Sequence, residues 1–180
     1  PTFFCLSTYY VAATGNNNNP GTAAQPWATL QKAVDAVTPG DVIIVRAGTY
    51  AGCRIGKSGT ASLPITLKAD FGARPLINSL ALTNRHQSLI EVENFDGKVS
   101  YWVIDGFEIS GAPRHGVDLR NTDYVTVQNC YSHNNGSTSV RGDGIFLGFS
   151  DHPTLQFNEL SFNSEHGLYH SNSADYPTIR

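Results

Sequence analysis

From His115 onward the chain alternates apolar and polar positions in short runs, and the runs repeat. In residues 116–120, Val117 and Leu119 alternate with Asp118 and Arg120. In residues 123–128, Val125 and Val127 alternate with Thr126 and Gln128. A period of two marks a strand with one buried face. Both runs return at 143–148 with 151–156, and again at 166–171 with 175–180. The unit recurs roughly every 23 to 28 residues, the range of architectures whose units bury a core face only by stacking on their neighbours. Polar turns rich in Asn, Ser and Gly separate the strands, and nothing between them has the length or the i, i+3, i+4 spacing of a helix. The pattern predicts a coil of two or three strands per turn, with successive coils pairing in parallel about 4.8 Å apart. That is an all-β fold, a parallel β-helix.

Before the repeats, residues 27–37 place Leu30, Ala33, Val34 and Val37 on one helical stripe, with Thr29 as N-cap and Pro39-Gly40 as a stop. An open solenoid end exposes apolar side chains and unpaired strand edges. The helix is therefore expected to cap that end, with Trp27 packed beneath it. This divides the chain into 1–40, holding a first strand near Tyr9, a solvated Asn-rich loop and the capping helix, and 41–180, the coils. Val103, Phe107 and Ile109 are expected to face inward, with Asp105 in a bend. Asn134 and Asn163 are expected to stack as an asparagine ladder.

Composition narrows the function. Charged residues make up 15% of 180 and the formal net charge is −3, which excludes a basic nucleic-acid binder. No apolar run is long enough to span a membrane. Methionine is absent, even at position 1, so a processed chain or a fragment is expected. Residues 1–7 are compatible with the tail of a signal peptide, although a charged flank and a long apolar region are missing. Cys5, Cys53 and Cys130 cannot all pair within the chain. Cys130 is expected to be a buried free thiol. Residues 56–60 lack the spaced glycine that should precede Gly56-Lys57-Ser58 in a phosphate loop, and the helix that should follow.

A family resemblance emerges from the first half. Residues 10–16 (Tyr-Val-Ala-Ala-Thr-Gly-Asn), 25–34 (Gln-Pro-Trp-Ala-Thr-Leu-Gln-Lys-Ala-Val), 39–50 (Pro-Gly-Asp-Val-Ile-Ile-Val-Arg-Ala-Gly-Thr-Tyr), 64–69 (Pro-Ile-Thr-Leu-Lys-Ala) and 72–77 (Gly-Ala-Arg-Pro-Leu-Ile) occur in that order. Together they resemble the opening of secreted right-handed parallel β-helix proteins related to pectate lyases of the family 9 type. The resemblance implies a right-handed coil and an extracellular setting. It also implies an acidic, uronate-containing polysaccharide as substrate, cut by β-elimination. The lyases it resembles use a lysine base on a later coil. Here the lysines are Lys32, Lys57, Lys68 and Lys98, none of them in the coils after residue 114. The hydrolases and epimerases of related folds fit less well. Residues 121–123 and 165–167 mimic pieces of a polygalacturonase pattern without its central Asp pair, and Asp151-His152-Pro153 is not the epimerase motif.

Stacking turns the repeats into columns of candidate residues. Asp118, Phe146 and Tyr169 form one outward column; Arg120, Gly148 and Ser171 form a second; His115, Asp143 and His166 form a third. Aromatic faces beside polar groups suit a sugar ring, so Asp118, Phe146, Tyr169 and His170 are candidate substrate contacts. A lyase must neutralise a uronate carboxylate, often with Ca²⁺ on carboxylate oxygens, for which Asp118 and Asp143 are candidates. It must take the proton α to that carboxylate and assist the leaving oxygen. Arg120 and Arg141 are candidates for base or clamp, and His115, His166 or His170 for acid. Arg141 lies in an inserted turn, 136–142, and inserted turns on a repeat scaffold often sit at the functional face. A non-catalytic glycan-binding or structural β-helix uses the same aromatic pair and needs no base. A monomer is expected. The last unit stops inside a strand, so the chain is expected to be the N-terminal part of a longer protein.

Overall fold

The computed structural model describes residues 6–81, 83–171 and 173–180. Cys5 and the signal-peptide expectation fall outside the described residues, apart from Leu6 and Ser7. After β1 (Thr8–Val11) and α1 (Leu30–Ala36) the chain winds through β2 (Val42–Val45), β3 (Thr49–Ala51) and β4 (Cys53–Ile55). The next turn holds β5 (Ile65–Ala69), β6 (Leu76–Ser79) and β7 (Ile90–Val92). The third holds β8 (Val99–Ser100), β9 (Trp102–Asp105), β10 (Glu108–Ser110) and β11 (Val117–Arg120). The fourth holds β12 (Thr122–Asp123), β13 (Thr126–Gln128), β14 (Tyr131–His133) and β15 (Ile145–Gly148). The fifth holds β16 (Thr154–Gln156), β17 (Glu159–Ser161) and β18 (Leu168–His170), and β19 (Thr178–Ile179) begins the next. Three strands per turn build three stacked sheets. The first runs β1-β2-β5-β9-β13-β16-β19, the second β3-β6-β10-β14-β17 and the third β4-β7-β11-β15-β18. Neighbours in each pair in parallel.

Register explains the core. On the first sheet Tyr9, Ile43, Leu67, Ile104, Val127, Leu155 and Ile179 stack in one column. On the third, Cys53, Ile90, Val117, Ile145 and Leu168 form one inward column, and Ile55, Val92, Leu119 and Leu147 another. Each aliphatic side chain buried this way contributes about 1.5–3 kcal/mol. β9 buries Trp102 and Ile104, so Val103, expected inward, points out; Phe107 and Ile109 are buried as expected.

The helix starts three residues later than expected, at Leu30. Trp27 is not helical because its N–H donates to Tyr10 O at 2.9 Å and its carbonyl accepts from Ala12 N at 2.9 Å, a bridge to β1. Trp27 is nonetheless buried, and Thr29 Oγ1 caps the helix by accepting from Lys32 N at 3.2 Å. The Asn-rich loop is not merely solvated. Asn17 Oδ1 accepts from Ala28 N and Thr29 N at 3.0 and 3.2 Å and so ties the loop to the helix entry. The expected asparagine ladder is shifted by one residue. Asn135, not Asn134, stacks on Asn163, because Asn134 takes a left-handed corner with φ 53°.

Candidate functional site

The outer face of the third sheet carries the expected columns in register. Asp118 lies beside Phe146 and Phe146 beside Tyr169, with Arg120 beside Gly148. The bonds Gly116 N to Asp143 O and Gly144 N to His166 O set His115, Asp143 and His166 one above another. The glycines after His115 and Asp143 are needed for space. A Cβ on Gly116 would meet Ser132 Oγ at 2.1 Å and Gly144 O at 2.8 Å.

Exposure separates the candidates. Asp118 is buried and offers no substrate contact; a turn from the second coil lies over it, and its carboxylate accepts from Ser88 Oγ at 3.1 Å and Arg120 Nε at 3.0 Å. Arg120 is committed to that bond, and its guanidinium lies 4.4 Å from the centre of the Phe146 ring. This suits a positioning donor and not a base. His170 is in register with the inward Leu147 rather than with Tyr169, and although exposed its Nε2 is taken by Ala174 O. Phe146 is mostly covered, by His115 stacked at 4.6 Å and Tyr169 at 5.8 Å. Tyr169 is 40% exposed and presents the aromatic face.

The third column is a relay buried at one end and open at the other. His115 is 3% exposed, too deep to touch a substrate. Its Nδ1 lies 3.0 Å from Asp143 Oδ2 and 3.2 Å from Asp143 N. We take Nδ1–H to Oδ2 as the dominant bond, because a charged acceptor makes roughly twice as strong a bond as a neutral partner. Asp143 Oδ1 accepts from His166 N at 3.1 Å and faces His166 Nδ1 at 3.1 Å. Burial pushes the Asp143 carboxyl up, but hydrogen bonds from His115 and His166 and the His115 charge outweigh it and hold the group below its usual value. The His166 side chain is 45% exposed. With Nδ1 on Asp143, its Nε2 remains the free nitrogen.

Arg141 pairs with Glu165 at 2.9 Å and reaches Asp143 only through it. Its turn forms one wall of a cleft of about 450 Å³, lined by Arg85, His86, Gln87, Arg114, Ser139, Val140 and Arg141. The opposite wall is formed by residues 83–88 of a second long turn. Glu91 organises that turn by accepting from Arg85 N and His86 N at 2.7 Å and from Ser88 N at 3.2 Å. Arg85 and Arg114 were legible only by extending the alignment one coil back from His115.

Among the described residues, the donors gathered around Asp143 do not fit calcium. Asp118 is not among the donors near Asp143; the group within 4.8 Å is Asp143, Glu165 and His166. That is two carboxylates and an imidazole, one carboxylate clamped between histidines and the other paired with Arg141. Calcium takes six to eight oxygens.

Comparison with known proteins places this geometry. Residues 9–175 match the model of the Pel9A-like right-handed β-helix region. The chain belongs to this Pel9A-like family. The coil is thus right-handed, as expected. Pectate lyase PEL9 of Emericella nidulans is 28% identical over 149 residues, covering 75% of this chain and 35% of that protein. The crystal structure of pectate lyase Pel9A superposes with a TM-score of 0.78 at 21% identity, covering 96% of this chain and 46% of that one. A rhamnogalacturonan lyase superposes at 0.72 with 16% identity, covering 96% and 50%. The chain spans about a third of the length of the curated relative and about half of the solved ones. The family membership makes this a polysaccharide-lyase-like β-helix. No helix among the described residues is long and apolar enough to cross a membrane.

Proposed function

We propose that this chain carries the glycan-binding face of an extracellular, carbohydrate-active β-helix that acts on an acidic, uronate-containing polysaccharide by β-elimination. One observation carries the reading: the exposed ring of Tyr169 lies 5.1 Å from His166, whose Nδ1 is held by the buried Asp143. An aromatic face stacks on the C–H face of a sugar, and a fixed imidazole stands beside it. His166 Nε2 takes the C5 proton, the C4=C5 double bond forms as the C4–O bond breaks, and solvent protonates the departing oxygen on the opposite face of the ring. Asp143 is a positioning residue in this scheme, and His115 supports it from beneath. Arg141, beside Glu165, clamps the carboxylate.

A second reading, a glycan-binding β-helix without catalysis, is favoured by the absence of lysine from residues 115–180. The assay is incubation with polygalacturonate, rhamnogalacturonan and alginate, with and without Ca²⁺, following ultraviolet absorbance of the unsaturated product. The lyase reading predicts product that His166→Gln abolishes. Binding without product from any substrate would leave the second reading.

A further inference from the structure

The two long turns and the short one between them carry an inference about which part of the glycan is recognised. The turns that carry 83–88 and 136–142 connect the second sheet to the third in alternate coils, and the intervening turn, 111–115, is short. The two walls therefore stand two coil spacings apart, about 10 Å. Arg85 comes from one wall, Arg141 from the other, and Arg114 from the short turn at the floor.

The charge here runs against the rest of the molecule, which is net −3. Arg141 is balanced by Glu165. Among the described residues, neither the Arg85 nor the Arg114 guanidinium pairs with a carboxylate within 4.0 Å; Glu91 is held by Arg85 N instead. Like charges gathered without counter-charges repel, so an anion is the ligand that relieves the cluster. The walls are already fixed. Arg114 N donates to Gln87 O at 3.0 Å, Gly136 N to Ala112 O at 2.8 Å, and Ser137 N to Val140 O at 2.7 Å. The Arg85 guanidinium lies 4.8 Å from the centre of the Phe95 ring, a cation–π contact that restrains it. At about 450 Å³ the cleft has the size of a ligand site. Through Arg141 and Glu165 it adjoins His166 and hence the Tyr169 face.

We propose that this cleft is an acid-group subsite. It takes the carboxylate or sulfate of a sugar next to the one stacked on Tyr169, with Arg114 and Arg85 as the specificity-determining residues. The inference rests on the glycan-binding reading of that face.

Calorimetric titration of the chain with oligogalacturonate, its fully methyl-esterified form, and a sulfated oligosaccharide that carries no uronate tests it. The expected result is that oligogalacturonate or the sulfated sugar binds at least roughly tenfold tighter than the ester, and that Arg114→Gln and Arg85→Gln each remove most of that preference. The salt dependence should flatten in both variants. The acid whose affinity falls further identifies the group the cleft takes. Tyr169→Ala should weaken acid and ester alike. Acidic binding that both arginine variants leave unchanged, with melting curves like the parent, would overturn the cleft and spare the Tyr169 face. Failure of the parent chain to bind any of the three sugars would overturn both. Arginine-dependent binding with no unsaturated product would keep the cleft and leave the non-catalytic reading.

Discussion

His166 Nδ1 stands 3.1 Å from Oδ1 of Asp143, a carboxylate only 2% exposed. Because the folded Asp143 carboxyl is held below its unfolded value, its ionised form stabilises the fold. That stability is fully present above the unfolded value, about pH 4, and is lost as pH falls through the folded value. Asp143→Asn should therefore cost about 1.5–3 kcal/mol near neutral pH. The gap from the parent should close as acid is added below about pH 4. Urea melts across this range check the sign. A constant gap down to strong acid would mean the carboxylate is not the stabilising form.

Asn135 Nδ2 donates to Asn163 Oδ1 at 2.9 Å, and Asn135 N to the same oxygen at 3.2 Å. Asn135→Ala removes the buried amide, takes one of the two donors from Asn163 Oδ1 and leaves Ala112 N without its side-chain acceptor. A loss of about 1–3 kcal/mol is expected, read from urea midpoints. The exposed corner residue Asn134→Gly should change stability by only a few tenths, since glycine accepts its positive φ.

Three corners of the fourth and fifth turns put phenylalanine where the turn below has asparagine. Phe149 stands over Asn121, Phe157 over Asn129 and Phe162 over Asn134, all with φ between 50° and 56°. A bulky side chain in the left-handed region costs roughly 1–2 kcal/mol, while asparagine is tolerated. Phe157 is 70% exposed, so little packing is lost on replacing it. Phe157→Asn should raise stability by about 1 kcal/mol, a melting shift of a few degrees.

Cys53 and Cys130 are buried free thiols, as expected for Cys130. Burial pushes Cys53 up to about 12 and Cys130 up to about 11. Little thiolate is present at pH 8, so iodoacetamide should label neither in the native chain and both after denaturation. Mass spectrometry of the labelled peptides reads the outcome.

The sequence made the fold readable because register in a β-helix follows from a period of two. Val117, Ile145 and Leu168 could be stacked by alignment alone, and they do stack. Burial on the outer face was harder to read. Asp118 alternates correctly but is covered by a turn thirty residues earlier, and alternation carries no information about such a cover. His170 shares the phase of the inward Leu147 but stays exposed on the last strand of its sheet, where no further coil is stacked among the described residues. Asn134 and Asn135 differ only in which one turns the corner, a choice made by φ. Arg114 and Arg85 escaped because a cleft between turns has no periodic signature.

Amide chemical-shift mapping during titration with oligogalacturonate tests the central claim most directly. The account predicts saturable shifts concentrated at Phe146, His166 and Tyr169 and continuing into Arg114 and Arg141. Shifts confined to another sheet, or none at millimolar ligand, would contradict it.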